Sequence, residues 1–194
     1  MTDEDLLKLA ASGDETAFTL LYQRHRDPVF RFTYRLLQSR ELAEEITHDC
    51  FLSLIKEPKR FKTDARKASL RTYLCAAARN LAFKHLRQTG TEAVIDDVSE
   101  WLRTPASEEP LRQLLGAEIS EAVRKAIGAL PPLQREAVIL FEYDEMSLSE
   151  IAEVVGADVG TVKSRLYRAR ERLRILLAPY FEKRAEPDRE RCRI

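Results

Sequence analysis

The residues best suited to bind another molecule lie in a strongly basic segment near the C-terminal end of the chain. Between Lys163 and Arg174 there are six lysines and arginines and one acid, Glu171. Cations along a helix bind DNA phosphates, and polar side chains in its first turns reach base edges in the major groove. Contacts with DNA are therefore predicted for seven residues: Thr161, Lys163, Ser164, Arg165, Tyr167, Arg168 and Arg170.

Residues 147–174 also contain the signals that would place this basic segment on the second helix of a helix-turn-helix. Ser147 and Glu150 have the spacing of a capping box, in which each side chain accepts a backbone N–H at a helix start. Gly156 permits the left-handed backbone of a turn, and Asp158 can cap a second helix. A solvated basic helix on an ordinary bundle is the simpler alternative, but these signals occur in the order that the motif requires.

A second basic region lies between Lys56 and Arg87, where ten lysines and arginines face two acids. The aromatic residues Phe61, Tyr73 and Phe83 are interleaved with them, which suits stacking on the bases of single-stranded or melted DNA. Burial of Tyr73 and Phe83 in a core is the alternative. The predicted DNA-binding residues of this region are Lys62, Arg66, Lys67, Ser69, Arg71, Tyr73, Arg79, Asn80, Lys84 and Arg87.

The overall composition is that of a folded globular chain. The 194 residues are 44% hydrophobic and 33% charged, with 6 Gly and 8 Pro, which excludes fibrous and low-complexity classes. Lys+Arg and Asp+Glu both number 32, so the net charge carries no sign of a nucleic-acid partner. Only the uneven distribution of the charges along the chain indicates one.

Neither an enzyme, nor a metal site, nor a membrane segment is predicted. Cys50, Cys75 and Cys192 lack a C-x-x-C or zinc-finger spacing, so we expect reduced thiols in a cytoplasmic protein. There is no Gly-rich phosphate loop and no nucleophile beside a base, so no catalytic residue and no cofactor are expected. The N-terminus is acidic, unlike a signal peptide, and the apolar stretches are far shorter than the roughly 20 residues that span a bilayer.

Apolar residues recur at helical spacing through most of the chain, which predicts an all-α protein. One helix is predicted to open at Pro28, and another to run from Glu41 to Ile55. After a loop over residues 59–68, a long helix is predicted to begin at Ser69 and to end with Gly90 as its C-cap.

An acidic segment divides the chain into two small helical domains. Residues 91–110 contain six acids and one base, and Pro105 and Pro110 would interrupt any helix there. Helical periodicity then resumes at Leu111 and breaks again at Pro131 and Pro132. The sequence therefore predicts a first domain over residues 1–90, a flexible acidic linker over 91–118, a helix-turn-helix domain over 119–181 and a disordered tail over 182–194.

Four segments of the chain resemble extracytoplasmic-function sigma factors, the small two-domain class of sigma-70-type initiation factors. Residues 130–174 are similar to the promoter-reading domain of that family, and residues 69–87 to its promoter-melting helix. Residues 43–56 are similar to its polymerase-binding helix and follow a further matching segment, 17–37. The resemblance implies a sigma region 2-like helical bundle followed by a sigma region 4-like helix-turn-helix.

The resemblance also implies a function: binding of core RNA polymerase and promoter-specific initiation. The second domain would read the −35 element, and the first would recognise and melt the −10 element with a base-capturing loop within residues 62–69. His48 and Tyr73 stand where the family more often has a Gln-like residue and Trp, whereas Asn80 keeps the family pattern. The implied partners are the β′ clamp helices and the β flap of the polymerase, promoter DNA and an anti-sigma factor. The implied polymerase-binding residues are Glu44, Glu45, His48, Asp49 and Leu52.

Two other functions fit the helix-turn-helix. A conventional repressor or response-regulator output domain would bind a palindrome as a dimer without polymerase. An anti-sigma factor or adaptor would use the basic helices for protein contacts alone. Promoter opening that depends on polymerase distinguishes a sigma factor from both.

Overall fold

The structure is a computed structural model that describes residues 1–56, 69–89 and 112–185, without the side chains of 112–118 and 181–185. Within these ranges the secondary structure consists of α-helices and one π-helical turn, and contains no strand. The predicted all-α fold is thereby confirmed. The predicted loop over 59–68, the Gly90 cap and the acidic segment 91–110 lie outside the described residues.

The N-terminal half forms four helices, with α2 packed against each of the other three. Side chains cap the starts of α1, α2 and α4, where Thr2, Asp14 and Ser69 each accept a backbone N–H from the first turn. The predicted helix start at Ser69 is therefore confirmed. The four helices are α1 (Asp3–Ala11), α2 (Glu15–Leu37), α3 (Arg40–Lys56) and α4 (Leu70–Gln88).

Helix α2 continues through Pro28, so the prediction that a helix opens there is wrong. Proline has no N–H to donate to the preceding turn, which normally breaks or kinks a helix. Leu21 and Phe32 are eleven positions apart, about three helical turns, and both are fully buried on the same face. Packing of this face on both sides of the proline outweighs the lost hydrogen bond.

The C-terminal half contains four helices and the π-helical turn. Helices α5, α6 and α7 all pack against α8. The predicted interruption at Pro131 and Pro132 is confirmed, because α6 begins at Pro132, in the first turn, where a missing N–H costs nothing. The elements are α5 (Arg112–Gly128), α6 (Pro132–Val138), the π-helical turn (Ile139–Tyr143), α7 (Leu148–Val155) and α8 (Val159–Ala185), which extends into the segment predicted as a tail.

The two halves contact each other and share one hydrophobic core. Helix α4 packs against α7, and α2 contacts both α6 and the π-helical turn. Buried residues of both halves belong to a single cluster, which includes Leu74 and Ala78 of α4 and Ile151 of α7. The helix predicted to melt promoter DNA therefore lies directly on the helix-turn-helix.

Cys50 and Cys75 lie in this core and are each 1% exposed. Burial raises the pKa of both thiols to about 12. The thiolate is the reactive form of cysteine, so both should react with Ellman's reagent at least about a hundredfold more slowly in the native protein than in guanidinium. The measurement is made on a Cys192→Ser variant, in which these are the only two thiols. Fast labelling of the native protein would mean that the core opens readily.

Candidate nucleic-acid interface

The predicted helix-turn-helix is present with the local signals that predicted it. The backbone N–H of Ser147 donates to Glu150 Oε2 at 2.8 Å, and the backbone N–H of Glu150 donates to Ser147 Oγ at 3.3 Å. Gly156 ends α7 in the left-handed region, with φ of 64°. The backbone N–H of Thr161 donates to Asp158 Oδ1 at 2.8 Å, which caps α8. These bonds cap the starts of both helices of the motif.

Loss of the capping box should destabilise the helix-turn-helix. We expect Ser147→Ala to lower the free energy of unfolding by about 1 kcal/mol, the usual cost of an N-cap hydroxyl. The change in the free energy of unfolding is measured by chemical denaturation monitored with circular dichroism. Ser149→Ala, at an exposed position in the first turn of the same helix, is the matched control and should change stability by less than about 0.5 kcal/mol.

The capping box also makes the difference in unfolding free energy between wild type and Ser147→Ala depend on pH. Hydrogen bonds from the side chain and backbone of Ser147 lower the pKa of the Glu150 carboxyl. A folded-state pKa below the unfolded value stabilises the fold above the unfolded pKa, and this contribution is lost as pH falls through the folded pKa. The gap between wild type and Ser147→Ala should therefore shrink below about pH 4. A stability difference that stays constant down to pH 3 would show that the Glu150 carboxylate does not contribute to the cap.

Helix α8 divides into a buried face and a free face. Val162, Leu166 and Ala169 are buried against the rest of the domain. Thr161 is partly buried, and its hydroxyl donates to Asp158 Oδ2 at 2.7 Å. Tyr167 is 69% exposed, which leaves its ring free for a partner. The exposed residues among those predicted to bind DNA are Lys163, Ser164, Tyr167, Arg168 and Arg170.

Two of the predicted arginines on α8 already have carboxylate partners. Arg165 Nη1 lies 2.9 Å from Glu136 Oε1, and its side chain is only 18% exposed. Arg170 Nη2 lies 2.9 Å from Glu142 Oε1 in an exposed pair. Arg165 thus anchors α8 to α6 within the domain, whereas Arg170 remains on the outer surface.

On α4 the predicted residues form an exposed group and a partly buried group. Ser69, Asn80, Lys84 and Arg87 are exposed. Arg71, Tyr73 and Arg79 are partly buried, and Tyr73 packs against the hydrophobic core. Phe83 is 7% exposed, so it belongs to the core, as one of the two interpretations expected. Lys62, Arg66 and Lys67 lie outside the described residues.

Arg71 and Arg79 contact the other domain. Arg79 donates to Glu136 through Nε at 2.7 Å and through Nη2 at 3.3 Å. Arg71 Nη2 donates to the backbone oxygen of Asp144 at 2.8 Å and lies 3.4 Å from its Oδ1. The structure thus places two predicted DNA-binding cations in the interface between the halves.

Sequence reasoning did not identify Glu136 and Asp144. Glu136 has no exposed surface, although burial of a carboxylate is costly unless it is paired. Desolvation raises the pKa of its carboxyl, and the Arg79 and Arg165 guanidiniums oppose that rise. Desolvation also raises the pKa of Asp144, against the effect of Arg71. One signal was visible in the sequence: Glu136 lies three and four positions before the apolar residues Ile139 and Leu140, which is the spacing of one helical face.

Helix α3 has a buried face and an exposed face. Ile46, Cys50, Phe51 and Leu54 are buried, and the opposite face points outward. Leu52 is 39% exposed, an apolar group on an otherwise polar surface. The exposed residues on that surface are Glu44, Glu45, His48, Asp49 and Leu52, so all five residues predicted to bind polymerase are accessible together.

Over residues 1–56, 69–89 and 112–185, no group of three or more His, Cys, Asp or Glu side chains could hold a metal ion. In the same ranges, no helix is both long enough and apolar enough to cross a membrane.

Comparison with known proteins gives the family of the two halves. The sigma-70 region 2 model matches residues 21–92, and the sigma-70 region 4 model matches residues 120–173. The RNA polymerase sigma-H factor of Pseudomonas aeruginosa is 29% identical over 185 residues, covering 91% of this chain and 94% of that protein. The ECF RNA polymerase sigma factor SigW of Bacillus subtilis is 29% identical over 176 residues, covering 87% and 92% respectively.

Solved structures agree with this assignment. The sigma factor RpoE of Bartonella quintana, in complex with the anti-sigma factor NepR, superposes with a TM-score of 0.65 at 25% identity. The match covers 83% of this chain and 96% of that one. The order of the two regions, the helix-turn-helix and these relatives lead to one conclusion: the chain belongs to the extracytoplasmic-function sigma factors of the sigma-70 family.

Proposed function

We propose that this sigma factor divides promoter recognition between α8 and α4 while α3 holds it on the polymerase. As a sigma factor, the chain binds core RNA polymerase and directs promoter-specific transcription initiation. The observation that carries the division of roles is the separation of three exposed surfaces on three different helices. Two of these surfaces are basic and one is mostly acidic.

The −35 element is assigned to the helix-turn-helix domain. The exposed face of α8 presents Lys163, Ser164, Tyr167 and Arg168 close to its start. Residues at this place in a recognition helix reach base edges in the major groove, while neighbouring cations hold phosphates. Arg170 and Thr161 flank this group, and Arg165 supports it through Glu136.

The −10 element is assigned to α4 and the preceding segment. Asn80 is exposed, and its amide can donate to and accept from one base edge. Lys84 and Arg87 extend the same helix with positive charge for the DNA backbone. The other residues proposed for this site are Lys62, Arg66, Lys67, Ser69, Arg71, Tyr73 and Arg79.

Helix α3 is proposed as the polymerase-docking surface. Its exposed face combines the carboxylates of Glu44, Glu45 and Asp49 with the apolar surface of Leu52 and the ring of His48. A polar rim around an apolar group is the usual composition of a protein interface. The partners proposed are the β′ clamp helices for the first domain and the β flap for the second.

The remaining proposals follow from the assignment as a sigma factor. Polymerase supplies the chemistry, so the factor itself is proposed to catalyse no reaction and to need no cofactor. It works where the polymerase works, in the cytoplasm. An anti-sigma factor is a proposed further partner, since the similar Bartonella quintana factor was solved in complex with one.

Run-off transcription tests this function. The assay combines core polymerase free of other sigma factors, the protein and a promoter from upstream of its own gene. Specific transcripts should require both proteins, because each domain binds its element weakly and polymerase joins the two contacts. Tight duplex binding without polymerase, and no transcript, would instead indicate a conventional helix-turn-helix regulator.

A further inference from the structure

A cavity of about 260 Å³ lies where α2, α5 and the π-helical turn meet. Its lining residues belong to none of the three surfaces proposed for promoter DNA and polymerase, so the proposed function gives the cavity no role. The side chains that give it its chemistry are Arg31, Tyr34 and Arg35 of α2, Arg124 and Ile127 of α5, and Tyr143 of the π-helical turn.

The three arginines supply the cavity with more positive charge than the neighbouring acids use. Arg124 is paired, because its Nε and Nη2 donate to the carboxylate of Glu121 at 2.9 Å and 2.6 Å. Among the side chains that the structure describes, no carboxylate accepts a hydrogen bond from Arg31 or Arg35 or forms an ion pair with either. Two guanidiniums of α2 are therefore available to an anion in the cavity.

Asp144 is an acid whose carboxyl is influenced by both of these arginines. Burial raises the pKa of that carboxyl, and Arg71, Arg35 and Arg31 oppose the rise. The hydrogen bond that Asp144 Oδ1 accepts comes from Arg71, at 3.4 Å. Asp144 thus leaves the N–H groups of Arg31 and Arg35 without an acceptor.

Arg135 of α6 adds a buried cation behind the wall of the cavity. Its guanidinium donates to the backbone oxygens of Leu36 and Gly128, which are the chain neighbours of the lining residues Arg35 and Ile127. Burial lowers the pKa of Arg135 to about 10, so it still carries its charge at neutral pH. These bonds join the end of α2 to the end of α5, and the buried charge adds to the positive potential of the cavity.

The other lining groups form flat and apolar surfaces. The Arg35 guanidinium lies over the Tyr143 ring, 4.4 Å from its centroid. The Tyr34 ring is stacked with that of Phe30, with centroids 6.0 Å apart and planes inclined by 8°. Ile127 is buried and apolar. Aromatic faces and a guanidinium plane beside an aliphatic group suit the flat ring of a ligand.

We propose that this cavity binds a small ligand that combines an aromatic ring with one carboxylate or phosphate group. Arg31 and Arg35 donate to the anionic group, because a guanidinium matches the oxygens of either anion with paired N–H donors. The ring packs against Tyr34 and Ile127. The volume lies just below the usual range of about 300–1,000 Å³ for ligand sites, which limits the ligand to a compact molecule.

Ligand-observed NMR on the full-length protein tests the proposal with two probes, 4-hydroxybenzoate and phenyl phosphate. At least one should bind saturably with a Kd of about 1 mM or below, the strength expected for about ten non-hydrogen atoms. Inorganic phosphate lacks the ring and 4-hydroxybenzyl alcohol lacks the charge, so each should bind at least about tenfold more weakly. The probe that binds more tightly identifies the anionic group that the site accepts.

Two variants assign the binding to the cavity. Arg35→Met keeps the aliphatic stem but removes the guanidinium, and it should weaken binding at least about tenfold. Arg31→Glu reverses a charge at an exposed position, where folding is least affected, and should weaken binding at least as much. Arg26→Met is the matched control, because Arg26 is an exposed cation of α2 that lies over Tyr22, outside the cavity. Its affinity should stay within about twofold of wild type.

Three results would overturn the proposal. One is the absence of saturable binding by both probes, and another is an equal loss of affinity in Arg26→Met and Arg35→Met. The third is inorganic phosphate binding as tightly as the aromatic probes. Circular dichroism verifies that each variant is folded. No polymerase or promoter is present, so the result is independent of the transcription test of the proposed function.

Discussion

Lys163→Ala and Asn80→Ala should each reduce specific run-off transcript at least about tenfold. A side chain that pairs with a base edge contributes about 1–3 kcal/mol to discrimination, and about 1.4 kcal/mol corresponds to a factor of ten. Both side chains are exposed and lie on the two helices proposed to face DNA. The two variants should fail at different steps, which distinguishes the two elements.

Footprinting of the promoter DNA shows at which step of initiation each variant fails. Lys163→Ala should lose protection of the −35 element, because its ammonium lies at the start of the recognition helix. Asn80→Ala should keep that protection and instead lose permanganate reactivity of thymines in the −10 element. The polymerase is the same in both assays, so the difference reports the sigma domain that was changed.

Matched controls exist on the same helices. Arg172→Ala removes an exposed cation from α8 on the side opposite Lys163, nine positions away. Gln88→Ala removes an exposed amide from the end of α4. Both should retain transcript within about twofold. Equal losses in Lys163→Ala and Arg172→Ala would mean that α8 contributes only general positive charge.

The features that could be predicted from the sequence are those set by neighbouring residues. The capping box of Ser147 and Glu150, the turn at Gly156 and the cap at Asp158 each involve residues a few positions apart. Their order was therefore enough to locate the helix-turn-helix. The helix from Glu41 to Ile55 was predicted in the same way, from helical spacing alone, and α3 spans Arg40–Lys56.

The features that could not be predicted depend on packing between distant segments. Arg79 and Glu136 are separated by 57 positions, and Arg71 and Asp144 by 73. No local pattern pairs them, so the count of basic residues between Lys56 and Arg87 predicted only that both arginines bind DNA. Pro28 was misjudged for the same reason, because burial of residues on both sides of it keeps α2 continuous.

Glu136→Ala should produce the largest loss of stability of any single substitution considered, about 3 kcal/mol in the free energy of unfolding. Removing one member of a buried ion pair leaves an uncompensated charge, which typically costs about 3–5 kcal/mol. Here two guanidiniums, those of Arg79 and Arg165, lose their partner. Each is partly exposed and can turn toward solvent, which places the expected cost at the lower end of that range.

Two comparisons separate the lost charge pairing from the lost volume. Glu136→Gln keeps the shape and one acceptor oxygen and should cost clearly less than Glu136→Ala. Glu142→Ala breaks an exposed pair with Arg170 and should cost less than about 1 kcal/mol. Chemical denaturation of all three variants measures the series. If Glu136→Ala were no more destabilising than Glu142→Ala, the buried carboxylate would not hold α4, α6 and α8 together. The apolar contacts alone would then hold the two domains together.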